Sequence, residues 1–164
     1  MKRDIIFNLE EPFIHLTFKN WYELKEDLQN NNKLFLITID GNECLESEGL
    51  LLEFCKVFKF PDYFGHNWEA LEDCINDLDW LPSDNYTILI KDAHNILKYE
   101  YDNFKVLIRI LKTASKEWVE GISYSDYPKE KTPFHIIFHN EKEYEEVFKK
   151  MIEKLLLDNE YDII

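Results

Sequence analysis

Glycine and proline are scarce in this chain, four and five among 164 residues. The four glycines are scattered, so no glycine-rich loop can cradle a phosphate, and no low-complexity segment or internal repeat is present. Cysteine is nearly as rare. Cys44, Cys55 and Cys74 are odd in number and lack metal-ligand spacing, which excludes a disulfide framework or a zinc cluster and implies reduced thiols in a reducing compartment. No apolar run approaches the ~20 residues of a membrane span. The opening MKRDIIFNLEEP lacks the apolar core of a signal peptide, so a cytoplasmic location is expected. Cations are also in deficit: 19 Lys and Arg stand against 33 Asp and Glu, a formal charge of −14. That balance disfavours direct binding to nucleic acid or to an anionic membrane and favours a basic partner.

The cation deficit is most acute from Phe60 to Ile90, where there is no Lys or Arg while Asp62, Glu69, Glu72, Asp73, Asp77, Asp79 and Asp84 are all acidic. Within this window the segment FPDYFGHNWEALEDCINDLDW begins as a loop. Pro61 fixes its own φ, and Gly65 is the residue expected to take a conformation that others resist. Asn67 is a suitable N-cap for a helix starting near Trp68. At helical spacing Trp68, Leu71, Ile75 and Leu78 fall on one stripe with Ala70 and Cys74 beside it, while Glu69, Glu72, Asp73, Asn76 and Asp77 fall on the other. The like-charge pairs Glu69/Asp73 and Asp73/Asp77 each cost an isolated helix roughly 0.2–0.5 kcal/mol, and Asp77 and Asp79 oppose the helix dipole. The window offers no compensation of its own, and a local rule broken in this way marks a candidate functional site. A solvated face on an acidic protein is the competing explanation.

The same residues carry a resemblance. PDYFGHNWEALEDC is similar to the signature of the barstar family, intracellular inhibitors of barnase-type ribonucleases. The pattern is an aromatic pair, a glycine, one residue, an asparagine, then an acidic-apolar helix containing Asp-Cys: Tyr63, Phe64, Gly65, Asn67, Glu69, Ala70, Leu71, Asp73 and Cys74. The resemblance implies that loop and helix plug a ribonuclease active site. Asp73 then stands in for a substrate phosphate as the central contact, with Tyr63 an aromatic contact and Glu69 an acidic one. Two positions depart from the namesake: Glu72 stands where it has an aromatic residue, and Leu78 replaces a second aromatic. The family also places an acidic contact near the start of its third helix, for which Asp102 is the nearest residue. The expected partner surface is therefore Tyr63, Phe64, Gly65, Asn67, Glu69, Glu72, Asp73, Asn76 and Asp77.

Along the rest of the chain, Phe13, Leu16 and Phe18 suggest a short strand, and Asn20 caps a short helix with Trp21, Leu24 and Leu28 inward, ended by Asn30-Asn31-Asn32. LFLITI (34–39) reads as a strand buried on both faces, which implies a parallel sheet. Ser47 is the expected cap of a helix bearing Leu51, Phe54, Cys55 and Phe58. TILIK (87–91) and FHIIF (134–138) are further strands, 102–118 is a helix, and 141–157 is a strongly amphipathic helix. The expected fold is α/β, with a small three-stranded parallel sheet packed against helices in a barstar-like arrangement over 33–140. An N-terminal extension (1–32) precedes it and a C-terminal helix (141–164) follows. The connection 120–133, rich in Tyr, Ser and Pro, is either a loose loop or an extra contact surface.

Other chemistry is weaker. His135 and His139 share a strand face, but no further ligands adjoin them, so no metal is expected. His66 lies in a loop near carboxylates, without a nucleophile beside it. The thiols read as core groups. The expected function is thus a ribonuclease inhibitor of the antitoxin or immunity kind, not an enzyme, needing no cofactor. Its partner would be a basic ribonuclease of the extracellular or toxin type. The rivals are an acidic interaction domain with a non-nuclease partner, and a small hydrolase using Asp73, Glu69 and His66. A hydrolase needs a pocket beside those carboxylates, whereas an inhibitor needs them on an exposed surface.

Overall fold

The computed structural model describes residues 5–31, 33–123 and 128–164. Five parallel strands form one sheet: β1 (Ile14–Thr17), β2 (Leu36–Asp40), β3 (Tyr86–Lys91), β4 (Phe134–His139) and β5 (Tyr161–Ile163), in the order β2-β3-β4-β1-β5. Five helices connect them: α1 (Trp21–Gln29), α2 (Ser47–Phe58), α3 (Trp68–Asp77), α4 (Tyr101–Glu120) and α5 (Glu145–Ile152). Parallel neighbours need crossovers, and these helices supply them on both faces. Helices α2 to α5 cover the larger face, where Phe54, Leu71, Ile75, Leu107, Leu111 and Phe148 pack on Ile88, Ile90, Ile136 and Phe138. The N-terminal segment and α1 cover the other face, where Ile6, Leu24 and Leu28 pack on Leu89 and Ile137.

The α/β class and parallel sheet are as expected, but the sheet has five strands, not three. β1 lies between β4 and β5, with Ile14 opposite both Ile136 and Tyr161. Its four residues, IHLT, are all buried, so two polar side chains disguise an interior strand. β5 has three residues, too few for any periodicity to register. The C-terminal helix stops at Ile152 rather than 157, because the chain must turn back to lay 161–163 along β1. β2 is an edge strand with Thr38 exposed, so it is not buried on both faces as the apolar run implied.

Of two capping expectations, one holds and one changes. Asn20 does cap α1, accepting from the Tyr22 N–H at 3.0 Å. Ser47, however, is the first residue of α2 rather than its cap. Its N–H donates to the Glu100 carboxylate at 2.8 Å, and its hydroxyl donates to the same oxygen. The shortage of glycine has a structural consequence: Lys59, His66, Leu78, Asp92 and Leu97 occupy the left-handed region, which glycine ordinarily fills. Lys59 and Leu78 do so as the C-caps of α2 and α3.

Candidate acidic binding face

Asn67 caps α3 as its sequence position implies, its Oδ1 accepting the Ala70 N–H at 2.8 Å. The left-handed residue of the preceding loop is His66 (φ 50°), not Gly65. Gly65 is favoured there by space instead, since a Cβ on it would lie 3.2 Å from the Asn67 amide nitrogen. The loop thus keeps the capping side chain in place, and the cap orients the helix. Leu71, Cys74 and Ile75 anchor α3 in the core, and Leu78 is buried beyond its end. The Trp118 indole N–H donates to the Ile75 carbonyl at 2.9 Å, fixing α3 against α4.

The outward face carries Glu69 and Asp73, both exposed, with Asn76 and Asp77 half-buried beside them. Tyr63 stands 72% exposed on the loop. Phe64 does not. It is buried, its ring 4.8 Å from those of Phe60 and His66, because the loop folds it inward to close the core under α3. Only one member of the aromatic pair is therefore presented to solvent. Gly65 and Asn67 are exposed, but Asn67 is occupied as the cap.

The expectation of an uncompensated helix is also corrected. Arg109 of α4 makes a bidentate contact with Glu72 at 2.9 and 3.3 Å. Lys129 donates to the Asn76 and Asp77 carbonyls at 2.7 and 2.9 Å and lies over the Trp118 ring. It thereby satisfies orphan carbonyls at the negative end of the dipole. A reciprocal antiparallel bridge between Ile122 and Lys129 holds it there. Both cations come from outside the 60–90 window, which is why the window looks unsupported. The ends of the 120–133 connection are thus ordered around Lys129, while Tyr124 to Tyr127 lie outside the described residues.

Beside the C-terminal half of α3 is a cleft of about 380 Å³ lined by Asn76, Glu117, Trp118, Glu120 and Lys129, among others. Glu69 and Asp73 do not line it. Glu117 and Glu120 of α4 share this cleft with Asn76 of α3, and they are not among the expected site residues. Asp102 is 15 residues upstream of Glu117, about 22 Å along the helix at 1.5 Å per residue, and it pairs with Lys105 at 2.7 Å. The missed signal is Trp118: a large residue in the buried stripe near the helix end puts its neighbours at the α3 boundary.

The two buried thiols, Cys44 and Cys74, are poorly suited to nucleophilic chemistry. Burial, then the nearby Glu53 and Asp40, pushes Cys44 up to about 12. Burial, then the Asp73 and Asp77 charges, raises Cys74. Among the described residues no group of three His, Cys, Asp or Glu is arranged to hold a metal, and no helix is long and apolar enough to cross a membrane.

Among solved structures, the chain is similar in fold to a chain of Drosophila ORC bound to AT-rich DNA and Cdc6. The TM-score is 0.51 at 11% identity, covering 95% of this chain and 49% of that one, so the present chain spans about half that protein's length. None of the curated proteins compared with it matches. The family model described as Barstar (barnase inhibitor) matches residues 34–139, a span containing the capped loop, α3 with its acidic face and all of α4. The chain belongs to the barstar family.

Proposed function

We propose that this protein inhibits a basic ribonuclease by occlusion, with the exposed acidic face of α3 seated in the enzyme's RNA cleft. The observation that carries the reading is the pairing of Glu69 and Asp73, exposed on a helix fixed at both ends, with Tyr63 projecting from the loop before it. The carboxylates take the place of RNA phosphates, and Tyr63 adds an aromatic contact of the kind enriched at binding hot spots. Asn67, Trp118 and Lys129 hold the helix in advance of binding, so little ordering remains to oppose association. Inhibition involves no turnover and no cofactor. Residues 33–140 act as the inhibitory module and the flanks 1–32 and 141–164 as additions to it. The three free thiols fit action in the cytoplasm.

The test is titration of the protein into RNA-cleavage assays with barnase and with a panel of basic extracellular and toxin ribonucleases. Stoichiometric loss of cleavage by one of them is expected. Its association rate should fall steeply between low salt and ~0.5 M salt, because exposed charges are screened as the Debye length shrinks to a few Å. If no nuclease is inhibited and a different basic protein binds the same face, the chain is an acidic interaction domain. One observation favours that alternative: Glu72, at a position aromatic in the namesake, is tied to Arg109, so the face differs from the one that blocks barnase.

A further inference from the structure

The second face of the sheet, away from α3, buries a chain of titratable groups. His15 on β1 and His135 on β4 are fully buried. His15 Nδ1 contacts the Asp162 carboxylate of β5, and its Nε2 lies 2.9 Å from His135 Nδ1. The far nitrogen of His135, Nε2, lies 3.0 Å from the Asn8 carbonyl. The chain of contacts therefore runs from the C-terminal strand through β1 and β4 to the N-terminal segment that covers this face.

Donor and acceptor roles propagate along it. A carbonyl only accepts, so His135 Nε2 carries hydrogen. In neutral imidazole the other nitrogen is then the acceptor, so His135 Nδ1 receives a hydrogen bond from His15 Nε2–H. At the other end the Asp162 carboxylate accepts from His15 Nδ1–H, so His15 carries hydrogen on both nitrogens and is an imidazolium paired with that carboxylate, while His135 is the neutral ring. A further proton on His135 Nδ1 would set two donors against each other at 2.9 Å, between two fully buried rings. We infer that Asp162, His15, His135 and the Asn8 carbonyl form a buried clasp, holding residues 5–13 on the sheet near neutral pH and releasing them on acidification.

The groups facing His135 are His15 from β1, Asp162 from β5, the Phe13 ring, the Asn8 carbonyl and, on β3, Thr87. Burial, opposed by the Asn8 hydrogen bond, lowers His135 to about 4, against ~6.5 for an exposed histidine. Opening of residues 5–13 leaves the His15–Asp162 pair between β1 and β5 in place, so the open form binds one more proton, at His135, below pH ~6.5. Closure is favoured above that value and is lost progressively as pH falls toward 4. Along the same strand His139 Nε2 donates to the Lys19 carbonyl at 3.0 Å, and its ring lies 5.2 Å from that of Trp21. This second tether holds the start of α1, so release is confined to the residues before it.

Amide hydrogen exchange on the full chain, corrected for intrinsic rates, tests the clasp. Opening of residues 5–13 should become about 30-fold more frequent from pH 7.5 to pH 5, as those two His135 values require, while β3 amides stay protected. His135→Gln, which can donate to Asn8 and accept from His15 without titrating, should flatten this profile. Imidazole nitrogen NMR of the wild type at pH 7.5 should show His135 as the Nε2–H tautomer. An unchanged opening frequency at pH 5, a His135→Gln variant that retains the full rise, or an Nδ1–H tautomer would each overturn the inference. Should His135→Gln fail to fold, the wild-type exchange series and the tautomer decide.

Discussion

Helices α3 and α4 pack side by side and treat charge in opposite ways. Along α4, Lys105, Arg109, Lys112 and Lys116 form a basic stripe, and each cation has a carboxylate: Asp102, Glu72, Glu160 and Glu11 respectively. Along α3, Glu72 is paired and Asp77 lies 3.7 Å from Lys129, but Glu69 and Asp73 face solvent with an acidic residue one turn away. One helix spends its charges on holding the fold together, tying α3, the N-terminal segment and the turn before β5 to its flank. The other holds carboxylates that the fold would be better without. Charges retained against local stability are the ones to assign to a partner, and substitution on the two helices should separate the two uses.

The largest effect is expected at Asp73. Asp73→Asn removes one member of two like-charge pairs, with Glu69 and Asp77, so the free protein should be stabilised by up to roughly 0.5–1 kcal/mol. Removing one partner of a buried charge pair in a complex typically costs about 2–5 kcal/mol, so affinity for an inhibited ribonuclease should fall by about 30- to several-thousand-fold. Thermal melting and a binding titration on the same variant check the opposed signs. A lower melting temperature with unchanged affinity would put Asp73 in the same class as the charges of α4.

Much of this contrast is legible in the sequence, because it depends on residues close together along the chain. The Asn67 cap, the buried stripe of α3 and its acidic front follow from spacing alone. So do β3 and β4, whose apolar runs have few other readings. What escapes is long-range. Arg109 and Lys129 reach α3 from 37 and more residues away, and nothing in either one's neighbourhood names its target. β1 hides because His15 and Thr17 are polar residues in an interior strand, their polarity met by Asp162, His135 and the Ile164 carbonyl. Phe64 was expected outside because loops are usually exposed. Here the loop turns it inward against Phe60, and the two rings together close the core beneath the capped helix.

An intermediate effect is expected at Lys129, the cation that works for α3 rather than for a partner. Lys129→Met keeps the aliphatic stem on Trp118 but withdraws two hydrogen bonds from the Asn76 and Asp77 carbonyls. Those carbonyls and the dipole they terminate should then be destabilised by about 1–2 kcal/mol, measured by urea unfolding. Asp73 stays in place, so affinity should fall much less than for Asp73→Asn, and through faster dissociation from a less firmly held helix. Equal losses of affinity in the two variants would mean that Lys129 itself meets the partner.

The smallest effect on stability, and the one that sharpens the contrast most, belongs to Arg109. Its pair with Glu72 joins the two helices, but both side chains keep contact with solvent, 56% and 29% exposed. Exposed pairs of this kind contribute about 0.2–1 kcal/mol, so Arg109→Met, which keeps an unbranched apolar stem, should lower stability by no more than that. Binding should move the other way in rate. The variant frees Glu72 and makes the face more negative by one charge, so a basic partner should associate faster at low salt, with the gain disappearing by ~0.5 M salt. Stopped-flow association at two salt concentrations reads this directly, and Glu72→Gln in the same background should cancel the gain. A slower association for Arg109→Met would show that the guanidinium faces an acidic group on the partner. The α4 stripe would then belong to the binding surface, and the division of labour between the two helices would fail.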